Sequence, residues 1–214
     1  MIGAAPSPDG TMIALSLVHE FPPGPLYGSV EVINVASGAT RTWTGPGAPG
    51  YWPGVPACAG GGTVVVPWWH DIGHGMIPAE ITGVCRLDLA APGGTRFAAF
   101  PAPVTGLASA LIAPGGDDVI TSSCRAGHHT GTVRIAELSA ADGRLVRVLR
   151  TQTARFGNDS DAQDAIFSTC RVLSVAGDGD HVLVQAFAFG RIDNGVFTSL
   201  PGTTPHFLPV AATW

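Results

Sequence analysis

Seven histidines, four cysteines and five tryptophans are the residues of this 214-residue chain best suited to chemistry or to gripping a ligand. In "WWHDIGHGMIPAE", His70 and His74 stand four apart, with Asp71 and Glu80 close behind. That spacing puts two imidazoles on one side only along a helix, and Gly73 and Gly75 disfavour a helix. The His-Glu-x-x-His arrangement of zinc hydrolases is absent, so these residues read as loop histidines and no metal site is assigned. His128 and His129 in "RAGHHTG" are adjacent. On a strand they would point to opposite faces, a poor arrangement for joint ligation that only a loop overcomes. Asn158, Asp159, Asp161 and Asp164 in "NDSDAQD" offer oxygen donors but lack the glycine and distal glutamate of an EF-hand loop, so a solvated loop is the simpler reading.

Nucleophilic chemistry finds little support. There is no Gly-x-Ser-x-Gly elbow and no alternation of strands with helices to present one. Cys58, Cys85, Cys124 and Cys170 lack Cys-x-x-Cys spacing. Cys58 and Cys85 fall on the first and third strands of one predicted sheet, about 9 to 10 Å apart and beyond the reach of a bridge, so free thiols are expected. No catalytic residue and no cofactor is assigned. Trp43, Trp52, Trp68, Trp69 and Trp214 read chiefly as packing between sheets, with the Trp68-Trp69 pair the one expected to leave a ring for a ligand.

Composition narrows the classes further. All 11 basic residues are arginine, against 16 acidic ones, and the net charge of −5 is spread without runs. A nucleic-acid partner is therefore not expected. No stretch approaches the roughly 20 apolar residues of a membrane span, so direct membrane insertion is not expected either. No basic and apolar leader opens the chain. Hydrophobic content of 45% supports a core, while 29 Gly and 18 Pro imply many tight turns between short runs.

Those turns repeat. "SPDGTMIALSL", "CAGGGTVVVPWW", "APGGDDVITSS" and "AGDGDHVLVQAF" each join a glycine turn to an apolar run, anchored by Gly10, Gly62, Gly116 and Gly179 at separations of 52, 54 and 63. A second series, in "VEVINVASGATRTW", "CRLDLAAPGGTRFAAF", "VRIAELSAADGRLVRVL" and "GRIDNGVFTSLP", is anchored by Gly38, Gly94, Gly143 and Gly195 at separations of 56, 49 and 52. Two series in one rhythm define a unit of strand, glycine turn, strand, variable loop, strand, glycine turn, strand. Such a meander cannot bury both faces alone, so copies must pack around an axis. The expectation is an all-β protein: a β-propeller of four-stranded antiparallel blades, with residues 1–214 as one whole or partial propeller domain. The fourth unit has a short middle connection, its two glycines being only 16 apart. Residues 151 to 165 are expected as an exposed loop. The middle loops, residues 18 to 28, 70 to 80 and 124 to 131, should gather on one face.

"SPDGTMIALS", "VEVINVASGATRTWTG", "RLDLAAPGG", "AELSAADGRLVRVL" and "VFTSLPG" resemble the TolB-type, WD-like propeller repeats of many actinobacterial proteins, over nearly the whole chain. The resemblance implies a propeller. It also implies an extracytoplasmic setting, tethered by a membrane segment where one precedes Met1, and otherwise a cytoplasmic one. In function the expectation is a recognition or scaffold module that binds a protein, peptide or glycan through loops on one face, with Trp68, Trp69, His70, His74, His128 and His129 as candidate contacts. The rival reading is a propeller hydrolase or lyase with a loop-borne site drawn from His70, Asp71, His74 and Glu80.

Overall fold

The computed structural model describes residues 3–7, 9–19, 27–44, 50–59, 63–70, 80–88, 95–99, 107–159, 170–176 and 179–200. Within them the chain forms four antiparallel sheets. The first is β1 (Gly3–Pro6), β2 (Met12–His19), β3 (Tyr27–Asn34) and β4 (Thr40–Thr44), hydrogen-bonded in chain order. The second holds β5 (Tyr51–Pro53), β6 (Ala57–Ala59), β7 (Thr63–His70), β8 (Glu80–Asp88) and β9 (Thr95–Ala99). The third is β10 (Leu107–Ile112), β11 (Asp118–Gly127), β12 (Thr130–Ser139) and β13 (Leu145–Arg155). The fourth is β14 (Arg171–Val175), β15 (His181–Gln185), β16 (Phe189–Asp193) and β17 (Val196–Ser199).

The repeated sequence produces repeated hydrogen bonds. Ser7 N–H donates to the Met12 carbonyl and Gly10 N–H to the Ser7 carbonyl, each at 2.9 Å. The same pair of bonds recurs between Ala113 and Asp118 with Gly116, and between Ala176 and His181 with Gly179. Gly10, Gly116 and Gly179 take φ of 70°, 79° and 76°, and Gly38, Gly143 and Gly195 of the second series take 69°, 70° and 79°. All six occupy the left-handed region where a Cβ is penalised, which is why glycine keeps the beat. Gly62 and Gly94 lie outside the described residues.

Packing runs sheet to sheet along the chain. Val64, Val66 and Trp68 of β7 face the first sheet together with Ala14, Val30 and Trp43, whereas Val65 faces the third with Ile112, Val119 and Leu138. In β11 Val119 faces the second sheet, and its neighbour Ile120 faces the fourth beside Val182 and Val184. Two-residue periodicity thus feeds two cores from one strand, and "TVVVPWW" reads as an unbroken apolar run because both its faces are covered. Each fully buried valine contributes about 1.5–3 kcal/mol.

Three expectations are corrected. The first strand of the second sheet is split into β5 and β6, both paired with β7; Gly54 between them instead donates its N–H to the Pro67 carbonyl at 2.7 Å. Residues 124–127 and 130–131 belong to strands, because β11 and β12 stay paired up to Gly127 opposite Thr130, leaving a two-residue connection. Residues 151–155 are strand as well: the long β12 offers partners as far as Thr130, opposite Arg155, and polar Thr151, Gln152 and Thr153 continue the ladder on an edge that tolerates them. The short middle connection of the fourth unit is present as residues 186–188, where Phe187 takes φ 57°.

Candidate functional site: an aromatic end shared by four sheets

In a four-stranded meander the junction of second and third strands, the start of the first and the finish of the fourth all lie at one end. The glycine turns lie at the other. Contacts between sheets show that these ends are aligned. Gly28, at the loop end of the first sheet, abuts Trp52 and Pro53 at the loop end of the second. Arg86 of β8 donates to the Gly116 carbonyl at 2.6 Å and pairs with Asp117 at 3.1 Å, tying the glycine-turn ends of the second and third sheets. Arg147 of β13 likewise meets Asp180 at 3.3 Å, beside its short bond to Glu137.

The two ends differ in chemistry. Ion pairs lace the glycine-turn end. At the loop end, each junction carries an aromatic pair. His19 stacks on Tyr27, the residue opposite it in the β2–β3 ladder, with ring centroids 4.9 Å apart and planes at 21°. The His19 Nε2 also lies 2.9 Å from Ser29 Oγ. Tyr51 stacks on His70, its ladder partner, at 4.2 Å and 20°. His128 stacks on His129 at 4.2 Å and 23°. Phe156, just past β13, meets Phe187 of the fourth sheet at 5.8 Å with rings tilted by 55°. Every pair keeps some exposure: His19, Tyr27, Tyr51, His70, Phe156 and Phe187 are half-buried, and His128 is exposed. Exposed Arg125, Arg155 and Arg171 stand at the same end, at strand termini of the third and fourth sheets.

The residues singled out by sequence are distributed unequally. His70, His128 and His129 come to this end. Trp69 is half-buried and packs on the core between second and third sheets. Trp68 is only 1% exposed and offers no surface to a ligand; its alternation with Trp69 turns it into the core between first and second sheets. Trp43 is buried in that core too. His74, Asp71, Asp161, Asp164 and Trp214 lie outside the described residues. Glu80 pairs in register with His70. Tyr27, Tyr51, Phe156 and Phe187 were not singled out. Counting strand register outward from the glycine turns places Tyr27 opposite His19, and that signal was present.

Electrostatics at this end centre on Asp159. The His129 backbone N–H donates to its Oδ1 at 2.6 Å, and this bond holds the carboxyl below its usual range, helped by nearby His128 and His129. All four cysteines are free, with Cys85 and Cys170 buried and Cys58 and Cys124 half-buried. No helix of the described residues is long and apolar enough to cross a membrane.

Four meander sheets, packed in sequence with their loop ends aligned, define a β-propeller-type protein with an aromatic pair at the loop end of each sheet. Solved structures agree on the fold. An oligogalacturonate lyase in complex with manganese matches with a TM-score of 0.54 at 12% identity, covering 92% of this chain and 51% of the lyase. Pyrococcus horikoshii acylaminoacyl peptidase matches with a TM-score of 0.52 at 7% identity, covering 91% of this chain and 31% of the peptidase. The chain therefore spans about half the length of the first and about a third of the second. No protein-family model and no curated protein sequence matches it.

Proposed function

We propose that this chain is a recognition module of the TolB-like propeller kind, which docks a peptide, protein segment or glycan across its loop end without itself changing the ligand. The observation that supports the reading is the recurrence of an aromatic pair at the loop end of all four sheets. Flat faces with polar edges suit sugar rings and aromatic or proline side chains, since they supply large contact area for little conformational entropy. Rigid ladders hold them in place before a ligand arrives. Arg125, Arg155 and Arg171 bias the choice toward ligands carrying carboxylates.

Oligogalacturonate, the substrate class of one structural neighbour, combines sugar faces with carboxylates and is the first probe to use. Calorimetry with the purified chain should show saturable binding of oligogalacturonate over a neutral glucan of equal length. Tyr51→Ala and Tyr27→Ala should each weaken it by about 1 kcal/mol or more. Binding of neither an acidic glycan nor an acidic peptide, or binding indifferent to both tyrosines, refutes the reading.

A second reading, a propeller lyase or hydrolase, is supported by the backbone register of β7 and β8, in which position 80, a glutamate, stands opposite His70. Shortening of the same oligosaccharide, lost in His70→Ala, would support it over plain recognition.

A further inference from the structure

We propose that the tip of the β11–β12 hairpin, with the segment that follows β13, forms a binding site for a borderline first-row divalent cation such as zinc, held by His128, His129 and Asp159. The site takes in the His128–His129 pair that also supports the recognition reading, but metal binding is read out separately from binding of any glycan or peptide.

Adjacent residues of a strand would diverge, but these two histidines form the whole connection between paired Gly127 and Thr130. His129 takes φ 52°, a left-handed conformation rare for a residue with a Cβ, and the resulting turn swings both rings to one side. The carboxylate comes from another part of the chain, 30 residues on, and two bonds hold that segment to the turn. Phe156 N–H donates to the His129 carbonyl at 2.9 Å, and His129 N–H donates to Asp159 Oδ1 at 2.6 Å. One carboxylate oxygen is thereby oriented and the other left for a ligand.

The potential ligand atoms of the three side chains lie within 4.8 Å of one another, and all three are open to solvent. Metal–ligand bonds of about 2.0–2.2 Å require neighbouring donors about 3.4 Å apart. Small rotations of exposed rings close that difference, exchanging a stacking contact for coordination. Among the described residues this is the one group of three His, Cys, Asp or Glu side chains that converges in this way. Two imidazoles and one carboxylate favour zinc, nickel or copper over calcium or magnesium, which prefer oxygen throughout. Three protein ligands leave positions for water or for an anion, and Arg125 and Arg155 on the flanking strands favour the anion.

The test uses untagged full chain and zinc chloride in isothermal titration, with calcium chloride as the contrast. One zinc per chain, with calcium at least about tenfold weaker, is expected. His128→Asn and Asp159→Asn should each weaken zinc at least about tenfold. His129→Gly separates ligation from folding, because glycine accepts φ 52° without strain: melting temperature should hold or rise while zinc affinity falls. Absence of zinc binding below millimolar concentration, binding unchanged in all three variants, or preference for calcium overturns the proposal.

Discussion

Ser122 Oγ, in the second strand of the third sheet, donates to the Cys170 carbonyl at the entrance to the fourth at 3.0 Å. It is the last link of a relay. Val172 N–H donates to Ser109 Oγ at 2.7 Å, and the two serine hydroxyls lie 2.8 Å apart. Read in one direction, Val172 gives to Ser109, Ser109 to Ser122, and Ser122 to Cys170, so every hydroxyl both donates and accepts. Two sheets are thereby joined by polar bonds inside a largely buried contact, where an unmatched group is costly.

Ser122→Ala should therefore lower stability by about 1–3 kcal/mol, the cost of leaving a buried carbonyl short of a donor. Ser109→Ala strands the Val172 amide and should cost a similar amount. The double variant should lose less than the sum of the two, since the relay is broken once. Urea unfolding of the four proteins measures this, and additive losses would show the bonds to be independent.

A second joint depends on missing atoms. At Gly28 a Cβ would sit against Pro53 Cδ and 2.8 Å from Trp52 Cα, both of the next sheet. A backbone carbon cannot step aside as a side-chain tip can. Gly28→Ala should cost about 1–3 kcal/mol and wedge the first two sheets apart at the end that carries His19, Tyr27, Tyr51 and His70. Denaturation midpoint and ligand affinity should fall together. Unchanged stability would mean that the sheets slide freely past one another.

The joints of the fold are more legible in the sequence than its aromatic loop end, and particular residues show why. Gly10, Gly116 and Gly179 announce themselves because a left-handed turn admits few alternatives. The same local logic gave the hairpins, the four meanders and their order. Trp68 and Trp69 could not be told apart by type; their roles depend on which face of β7 meets the first sheet, a matter of register and of the packing of a distant strand. The convergence of Asp159 on His129 was further out of reach. It joins two segments of which one looks from sequence like a solvated acidic loop, and only the extra length of β13 brings Asp159 back to the hairpin tip.

Acid should open the first glycine turn. Asp9 Oδ1 accepts bonds from Ser7 Oγ at 2.6 Å, Thr11 N–H at 3.1 Å and Thr11 Oγ1 at 2.8 Å. The Ser7 hydroxyl, followed by the two Thr11 donors, lowers its pKa from 3.8 to about 2. A carboxyl depressed on folding stabilises the fold at pH above its unfolded value, and that contribution fades as pH falls from about 4 toward 2. Asp9→Asn should flatten the dependence of melting temperature on pH in that window while lowering it at neutral pH. An acid limb of unchanged slope would show that the turn does not depend on the carboxylate charge.

The cysteines predict an order of reaction and an alkaline limit. Cys124 shares a hydrogen bond with Cys170, which lowers its pKa against the effect of burial, whereas Cys170 is raised by the same contact and by desolvation. Between two thiols in contact the more accessible sulfur gives up its proton and accepts a bond from the other. Burial pushes Cys85 from 9.0 up to about 12, opposed only by a bond from Trp68, and burial raises Cys58 as well. Iodoacetamide at pH 8 should thus alkylate Cys124 first and Cys58 more slowly, leaving Cys85 and Cys170 for the unfolded chain. A thiol raised on folding holds its proton more tightly in the native state, so stability falls as pH climbs from about 9 toward 12. Cys85→Ala, less stable at neutral pH for the cavity it leaves, should show a shallower fall across that window. Early labelling of Cys85 in the native protein, or an alkaline slope that survives the substitution, would show that its sulfur is not held dry between the first two sheets.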